Sequence, residues 1–120
     1  MDCEQAYGFR KLRAWQAADQ LAHEVYRLAK TFPRTEQFAL ASQLRRAAIS
    51  VATNLVEGQT RKSTREFKQF IAIALGSLAE VEYLLEFSRK EGYLSDSEYK
   101  SVDLLRKTAG RLVWSLYESL

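Results

Sequence analysis

The stretch SQLRRAAISVATNLVEGQTRKSTREF, Ser42 to Phe67, contains the end of one helix, a stop and the start of another. Apolar residues recur in it every three or four positions as far as Leu55, which is the spacing of a buried helix face. Gly58 suits the left-handed position at which many helices end. Ser63 and Glu66 then have the spacing of a reciprocal N-terminal cap. The stretch therefore predicts two long helices joined by a short turn.

The same pattern continues in both directions and predicts four helices. Their expected bounds are about 11–30, 36–57, 64–91 and 96–119. Pro33 and Gly92 fall between helices, and Ser95 with Glu98 repeats the capping spacing before the last one. Short connections make consecutive helices pack in opposite directions. We therefore expect an all-α protein, an antiparallel up-down-up-down four-helix bundle in which residues 1–120 form a single domain.

The composition is that of a globular protein. Apolar residues make up 47% of the 120 residues and charged residues 28%, which excludes an intrinsically disordered chain. Cys3 is the only cysteine and His23 the only histidine, so neither a disulfide framework nor a histidine metal cluster is available, and no cofactor is expected. The sequence has no signal-peptide core and no apolar run of bilayer length. We expect a soluble, cytoplasmic protein with no membrane partner.

Few residues favour catalysis. The glycines are isolated and form no phosphate-binding loop. Glu57 and Glu80 are the one pair of carboxylates that could perform acid and base chemistry, but the sequence offers no nucleophile beside them. We therefore expect a protein that is not an enzyme. The alternative hypothesis is an enzyme that uses Glu57 and Glu80.

The second and third predicted helices carry more apolar residues than one buried face needs, among them Ile49 and Ile73. A narrow polar seam accompanies the surplus, and Arg45 or Arg46 could pair with carboxylates buried in it. The candidate structural or interface residues of this region, which we call the motif residues, are Arg45, Arg46, Ser50, Asn54, Glu57, Gly58, Gly76, Ser77 and Glu80.

Two explanations of this surplus remain open. Central helices of a bundle touch two neighbours, which would account for the extra apolar residues within one chain. A contact between subunits would account for them equally. Tyr83, Trp114 and Tyr117 lie off the main apolar faces, and aromatic residues are enriched at interfaces. We therefore expect a homo-oligomer.

Positive charge is concentrated in the first part of the chain. Residues 1–70 carry 12 Lys and Arg against 7 Asp and Glu, whereas residues 71–120 carry 6 against 8. Arg45 and Arg46 form a pair, and two larger clusters are the candidate nucleic-acid-binding residues: Arg10, Lys11 and Arg13, and Arg61, Lys62, Arg65 and Lys68. The second cluster begins a helix, whose free N–H groups attract anions. Tyr7 and Phe9 could stack on bases or anchor the N-terminus.

Three segments carry a resemblance to a known family: SQLRRAAISVATNLVEG, the R..S..EF that follows it, and ALGSLAEVEYLLE. With FRKLRAWQAADQLAHEVYRLAKTFP they resemble the bacterial four-helix-bundle family of 23S rRNA intervening-sequence proteins, over about Phe9 to Leu116. That family is named for the location of its genes within 23S rRNA genes. It is related to the accessory variability protein of diversity-generating retroelements. Where members commonly read NIAEG, this chain reads NLVEG, a mild apolar change.

The resemblance implies a pentamer with a basic surface, linked to nucleic-acid or reverse-transcriptase binding. Two main hypotheses of function follow. The first is a non-enzymatic oligomer that binds nucleic acid, and structured RNA above all, through its repeated basic clusters. The second is a homo-oligomeric scaffold that presents Tyr83, Trp114 or Tyr117 to a protein partner and has no nucleic-acid role.

Overall fold

The computed structural model describes residues 8–120, which are helical apart from short connections and contain no β-strand. The candidates Cys3 and Tyr7 lie outside the described residues. A 3₁₀ turn covers Gly8–Lys11 and another covers Arg34–Glu36. The four α-helices are α1 (Arg13–Ala29), α2 (Leu40–Gln59), α3 (Thr64–Lys90) and α4 (Asp96–Ser119).

Each helix packs against two others, in the cyclic order α1, α2, α3, α4 and back to α1. The bundle measures 48 × 25 × 20 Å, and α3 spans most of its length, since 27 residues at about 1.5 Å each extend roughly 40 Å. This arrangement confirms the expected all-α four-helix bundle. The adjacency of consecutive helices is the one that an up-down-up-down bundle requires.

The core consists of the apolar faces that the sequence predicts, with small adjustments. The predicted face of α2 is fully enclosed: Leu40, Leu44, Ala48, Val51 and Leu55. For α4, helical spacing predicts an apolar face of Val102, Leu105, Ala109, Leu112, Leu116 and Leu120. Val102 and Ala109 are buried, but Val113 completes the buried face and Leu120 is exposed. A face with spacing of three and four residues drifts around a helix, so its last member leaves the core.

Both predicted serine caps are present. Ser95 accepts a hydrogen bond from the Glu98 N–H, and the Glu98 side chain accepts one from the Ser95 N–H at 2.9 Å, which completes a capping box. Ser63 accepts from the Glu66 N–H at 3.1 Å, while its hydroxyl donates to the Glu66 carboxylate at 3.0 Å. Each cap satisfies backbone groups that the helix leaves without partners.

The start of the second helix differs from the sequence prediction. Helix α2 begins at Leu40 instead of residue 36, because a compact turn precedes it. The Gln37 side chain donates to the carbonyls of Ala29 and Phe32, at 2.9 Å each. Arg45 then holds Gln37 in place by donating to its side-chain and backbone oxygens. The carbonyls at the end of α1 therefore gain partners from this turn.

Candidate nucleic-acid interface

The turn between α2 and α3 presents the larger basic cluster to solvent. The Arg61 N–H donates to the Gly58 carbonyl at 3.0 Å, and the Thr60 hydroxyl donates to the Glu57 carbonyl at 2.7 Å. Ser63 then caps the start of α3. The Glu57 and Gly58 carbonyls near the end of one helix and the Glu66 N–H in the first turn of the next are thus satisfied within the turn. Arg61 and Lys62 lie exposed between them.

Gly58 plays a different role from the one expected from the sequence. It lies within α2, which continues to Gln59, and its φ is not positive; Gly92 is the glycine with a positive φ, 81°. A Cβ at Gly58 would lie 2.8 Å from the Phe70 Cβ and 2.9 Å from the Phe67 Cδ1. Glycine is needed here because the first turns of α3 approach α2 too closely for a side chain.

Two cations of this cluster lie over aromatic rings. The Arg61 guanidinium is 4.5 Å from the centre of the Phe70 ring. The Lys68 ammonium is 4.4 Å from the centre of the Tyr117 ring, which belongs to the end of α4. Such contacts hold long side chains in place without neutralising their charge. Lys62 and Arg65 are exposed beside them.

The N-terminal basic cluster lies at the same end of the bundle. Its 3₁₀ turn packs on the last residues of α2, where a Cβ on Gly8 would lie 2.8 Å from the Gln59 Nε2. The Arg10 guanidinium lies 4.5 Å from the centre of the Phe9 ring, and Phe9 packs edge-on against Trp15 with ring centres 5.0 Å apart. Phe9 therefore anchors this turn to the bundle while it supports a cation.

All the sequence-predicted nucleic-acid-binding residues thus meet at one end of the bundle, which we call the basic end. Its members are Arg10, Lys11, Arg13, Arg61, Lys62, Arg65 and Lys68. Within residues 8–120, no carboxylate forms an ion pair with the last five of them. By contrast, Arg106 elsewhere in the bundle is paired with Asp103 at 2.8 Å. The positive charge of these five side chains is therefore available to an anion.

The motif residues of α2 and α3 form a polar seam along the contact between these helices. The Ser77 hydroxyl donates to the Ser50 hydroxyl at 2.8 Å, and the Asn54 amide donates to the Ser50 carbonyl and hydroxyl at 2.8 and 3.0 Å. Gln43 donates to the Glu80 carboxylate at 3.3 Å. These bonds fix the register of α3 against α2 and thereby position the basic end.

The other motif residues do not form the buried ion pair considered from the sequence. Glu57, Glu80 and Arg46 are exposed. Arg45 is half-buried and bonds to Gln37 instead of a carboxylate. Gly76 is exposed, with no atom within 4 Å of a Cβ placed there. Its small size is therefore not required by packing within the described chain.

No feature of the described residues points to catalysis. Glu57 lies seven positions beyond Ser50 in α2, and Glu80 lies three beyond Ser77 in the opposite direction. At about 1.5 Å per residue the two carboxylates are roughly 15 Å apart along the bundle, too far to act as an acid and base pair. Residues 8–120 contain no group of three His, Cys, Asp or Glu residues that could hold a metal ion. Within the same range, no helix has the length and apolar character of a membrane span.

Sequence reasoning missed two surface features that depend on contacts between distant segments. One is the contact of Lys68 with Tyr117 at the basic end. The other is an open groove of about 410 Å³ near the opposite end, lined partly by Phe38, Tyr83 and Phe87. The side chain of Phe38 is 97% exposed. The sequence signals for this groove were the positions of Phe38 and Tyr83 outside the main apolar faces.

Comparisons with known proteins place these features in a family. A crystal structure of a protein of unknown function from the S23 ribosomal protein family of Bacteroides thetaiotaomicron shares the fold, with a TM-score of 0.81. The two are 23% identical over 88% of this chain and 95% of that chain. No curated protein matches the sequence. The family model described as 23S rRNA-intervening sequence protein matches residues 10–115. The chain therefore belongs to the 23S rRNA-intervening sequence protein family, as its motifs predict.

Proposed function

We propose that this protein is a non-enzymatic homo-oligomer, a pentamer by family resemblance, that binds structured RNA through the basic end of each subunit. The observation that carries the proposal is the convergence of two basic clusters, distant in sequence, on one end of the bundle. Five of these cations have no carboxylate partner within residues 8–120. Phosphate contacts from such cations supply most of the affinity of nucleic-acid-binding proteins.

The local backbone supports an anion site at this end. Helices α1 and α3 both begin there, and the free N–H groups of a helix start carry partial positive charge. The first turn of α1 contains Arg13 and no acidic residue, so it places a cation where the helix dipole is already positive. Glu66 lies in the first turn of α3 and accepts a hydrogen bond from the Ser63 hydroxyl, which leaves its negative charge in place. The cations of the basic end outnumber this carboxylate, so the local potential favours phosphate.

The outer face of α2 and α3 supports self-association. Ile73 is 53% exposed and Tyr83 is 61% exposed, and Gly76 beside them leaves room for close approach of another chain. Exposed apolar patches of this kind mark contact surfaces. Repetition of the basic end around a closed ring would multiply its attraction for a polyanion.

Analytical ultracentrifugation of Ile73→Glu tests the oligomer. A charge on this face should shift the mass toward that of one chain, because a buried unpaired charge is costly. The matched control is Leu104→Glu, a similarly exposed position on α4 outside the proposed contact face. An unchanged mass for Ile73→Glu, or an equal loss of mass for both variants, would argue against this face as the interface.

Fluorescence anisotropy of a labelled RNA hairpin, titrated at several salt concentrations, tests RNA binding. Affinity should fall steeply with salt, by about 0.9 in the logarithmic slope for each duplex phosphate contacted. Replacing Arg61, Lys62, Arg65 and Lys68 with Glu should remove binding while the circular dichroism spectrum remains helical. Absence of binding by the unmodified protein at low salt would refute the proposal.

A control of equal net charge separates a local site from general electrostatic attraction. Lys30, Arg34, Lys90 and Lys100 are exposed cations toward the opposite end, and their replacement with Glu changes the net charge by the same amount. This control should keep most of the affinity. Equal loss in both variants would show that net charge, and not the basic end, governs binding.

The groove near the opposite end favours the second candidate function, a protein-interaction scaffold. Phe38, Tyr83 and Phe87 offer exposed aromatic surface there, beside the exposed Arg46, and aromatic residues with arginine are typical anchors of protein interfaces. By family resemblance, a reverse transcriptase is one candidate partner. A specific protein captured from cell extract after nuclease treatment, and lost in Tyr83→Ala, would favour this function.

A further inference from the structure

The basic end also carries exposed aromatic surface that phosphate binding does not explain. Trp114 and Tyr117 stack with ring centres 5.7 Å apart and an interplanar angle of 17°. Trp114 is 51% exposed. Tyr117 already contacts Lys68 on α3 and Trp114 on its own helix. The indole of Trp114 is thus the ring of this pair with most surface left for a ligand.

Cations flank the aromatic pair on both sides. Lys68 approaches the Tyr117 ring from α3. Arg111 is exposed one turn before Trp114 on α4, and residues three apart are neighbours on a helix surface. Within residues 8–120 neither Arg111 nor Lys68 is paired with a carboxylate. The order along the surface is therefore cation, indole, phenol, cation.

An open groove lies beside this row. It has a volume of about 520 Å³ and is lined by Thr64, Arg65, Lys68, Gln69, Ala72 and Tyr117. The lining combines two cations, hydroxyl and amide groups, and one aromatic ring, with no carboxylate. This combination is complementary to a phosphate attached to a flat, apolar group. A peptide partner would leave the two cations without a counter-charge unless it were acidic.

From this arrangement we infer that the Trp114 indole stacks an unpaired base of a single-stranded nucleic acid, while Lys68, Arg65 and Arg111 contact the adjoining phosphates. Alternation of aromatic rings and cations is how proteins bind single strands, because every base has a flat face whereas bases inside a duplex are already stacked. The inference rests on the proposed function and refines it. The preferred RNA contains a loop, bulge or free end beside the duplex that the basic end holds.

Tryptophan fluorescence gives a direct test. Trp15 and Trp114 are the two tryptophans, so Trp15→Phe leaves Trp114 as the sole reporter. A 12-nucleotide oligouridine should quench its emission and should bind more tightly than a blunt 12-base-pair RNA duplex of equal concentration. Quenching by the duplex to the same extent, at the same affinity, would overturn the inference.

Substitution at the ring tests whether stacking supplies the preference. Trp114→Ala should weaken oligouridine binding about 5- to 150-fold, the range for loss of one stacked base, and change duplex affinity less than twofold. Trp114→Phe, which keeps a stacking surface, should restore most of the loss. Tyr26→Ala, which removes an exposed aromatic ring on α1 away from the basic end, is the matched control and should bind as the unmodified protein does.

The outcomes separate this inference from the proposed function. If Trp114→Ala binds oligouridine normally while charge reversal at the basic end removes RNA binding, the stacking site is refuted and the RNA-binding function stands. If no RNA binds to the unmodified protein, both fall. If Trp114→Ala lowers the oligomer mass and leaves affinity unchanged, the ring belongs to a subunit contact and the inference is refuted. Comparable affinity for oligothymidine would support recognition of unpaired bases without use of the 2′-hydroxyl.

Discussion

Replacement of Gly58 with alanine should destabilise the bundle, although alanine is normally the better residue inside a helix. The new Cβ would lie 2.8 Å from the Phe70 Cβ and 2.9 Å from the Phe67 Cδ1. The Phe67 ring can rotate by a small amount, but the Phe70 Cβ moves only with the backbone of α3. The start of α3 must therefore shift away from α2.

Two effects of opposite sign decide the magnitude. Alanine gains about 1 kcal/mol over glycine in a helix interior, whereas forcing a methyl group into a packed contact costs about 1–3 kcal/mol. Because backbone must move, we expect a cost near the upper end and a net loss of about 1–2 kcal/mol. With about 2.1 cal/mol/K of unfolding entropy per residue over 120 residues, Tm should fall by roughly 4–8 °C.

The assay is thermal and urea unfolding followed by circular dichroism at 222 nm. Gly110→Ala is the matched control, since no atom lies within 4 Å of a Cβ at that interior position of α4. It should gain up to about 1 kcal/mol. Both variants must be compared with the unmodified protein at one protein concentration, because association makes Tm depend on concentration.

The result that would refute this reasoning is a Gly58→Ala protein at least as stable as the unmodified one, alongside a stabilised Gly110→Ala. It would mean that α3 can shift away from α2 without lowering the free energy of unfolding. A loss of stability in both variants would point to a general intolerance of substitution. Only opposite signs at the two glycines support a close approach specific to Gly58.

Three further changes test other contacts of the bundle. Ser63→Ala should lower the free energy of unfolding by about 1 kcal/mol, because the first turn of α3 loses its cap; urea unfolding measures it, and no change would mean that water replaces the hydroxyl. Gln37→Ala should cost about 1–3 kcal/mol, since the Ala29 and Phe32 carbonyls lose their donor and Arg45 loses the side-chain one of its two acceptors on Gln37; Arg34→Ala, nearby and exposed, should leave stability unchanged. Burial, with Asp103 and Glu86 nearby, raises the pKa of Tyr99 in the folded protein above its ordinary value of 10.0. The neutral phenol of Tyr99 therefore contributes its full stabilisation below pH 10, and this stabilisation is lost as the pH rises through the higher folded-state pKa. Tyr99→Phe should lose less stability above pH 10 than Tyr83→Phe, which keeps Tyr99; identical pH profiles would contradict the assigned burial.

Local chemistry allowed much of this fold to be predicted from the sequence. The caps at Ser63 and Ser95 depend on residues three positions apart, and the face containing Leu44 and Val51 depends on helical spacing alone. Four helices with short connections then leave few arrangements. These are properties of neighbouring residues, so they can be recognised without knowledge of which helices touch.

The errors arose where a residue's role depends on another element. Gly58 has the sequence position of a helix stop, yet glycine is required there because Phe67 and Phe70 on the next helix leave no room for a side chain. Arg45 was considered as a partner for a carboxylate and instead bonds to Gln37. In both cases residue type was informative, while the partner is set by packing between elements.

The candidate site shows the same division. The basic clusters were visible as runs of charge, and the predicted up-down-up-down order already places the starts of the first and third helices at one end of the bundle. The sequence did not indicate that the turn carrying Arg10 packs against Gln59 at the end of α2. The contact of Lys68 with Tyr117 joins residues 49 positions apart. Periodicity identifies the exposed side of each helix and does not say which exposed sides become neighbours.

The meeting of α1, α2, α3 and α4 at the basic end has a practical consequence for handling the protein. Helix α4 ends beside the first turns of α3, so an affinity tag fused after Leu120 emerges next to the cations of the basic end. A polyhistidine or acidic tag at this position would compete with an anionic ligand for the basic end or would repel that ligand. A permuted gene that joins the two termini by a flexible peptide and opens the chain at Gly92, in the exposed turn after α3, would move both new ends to the far side and free the basic end for immobilised binding assays.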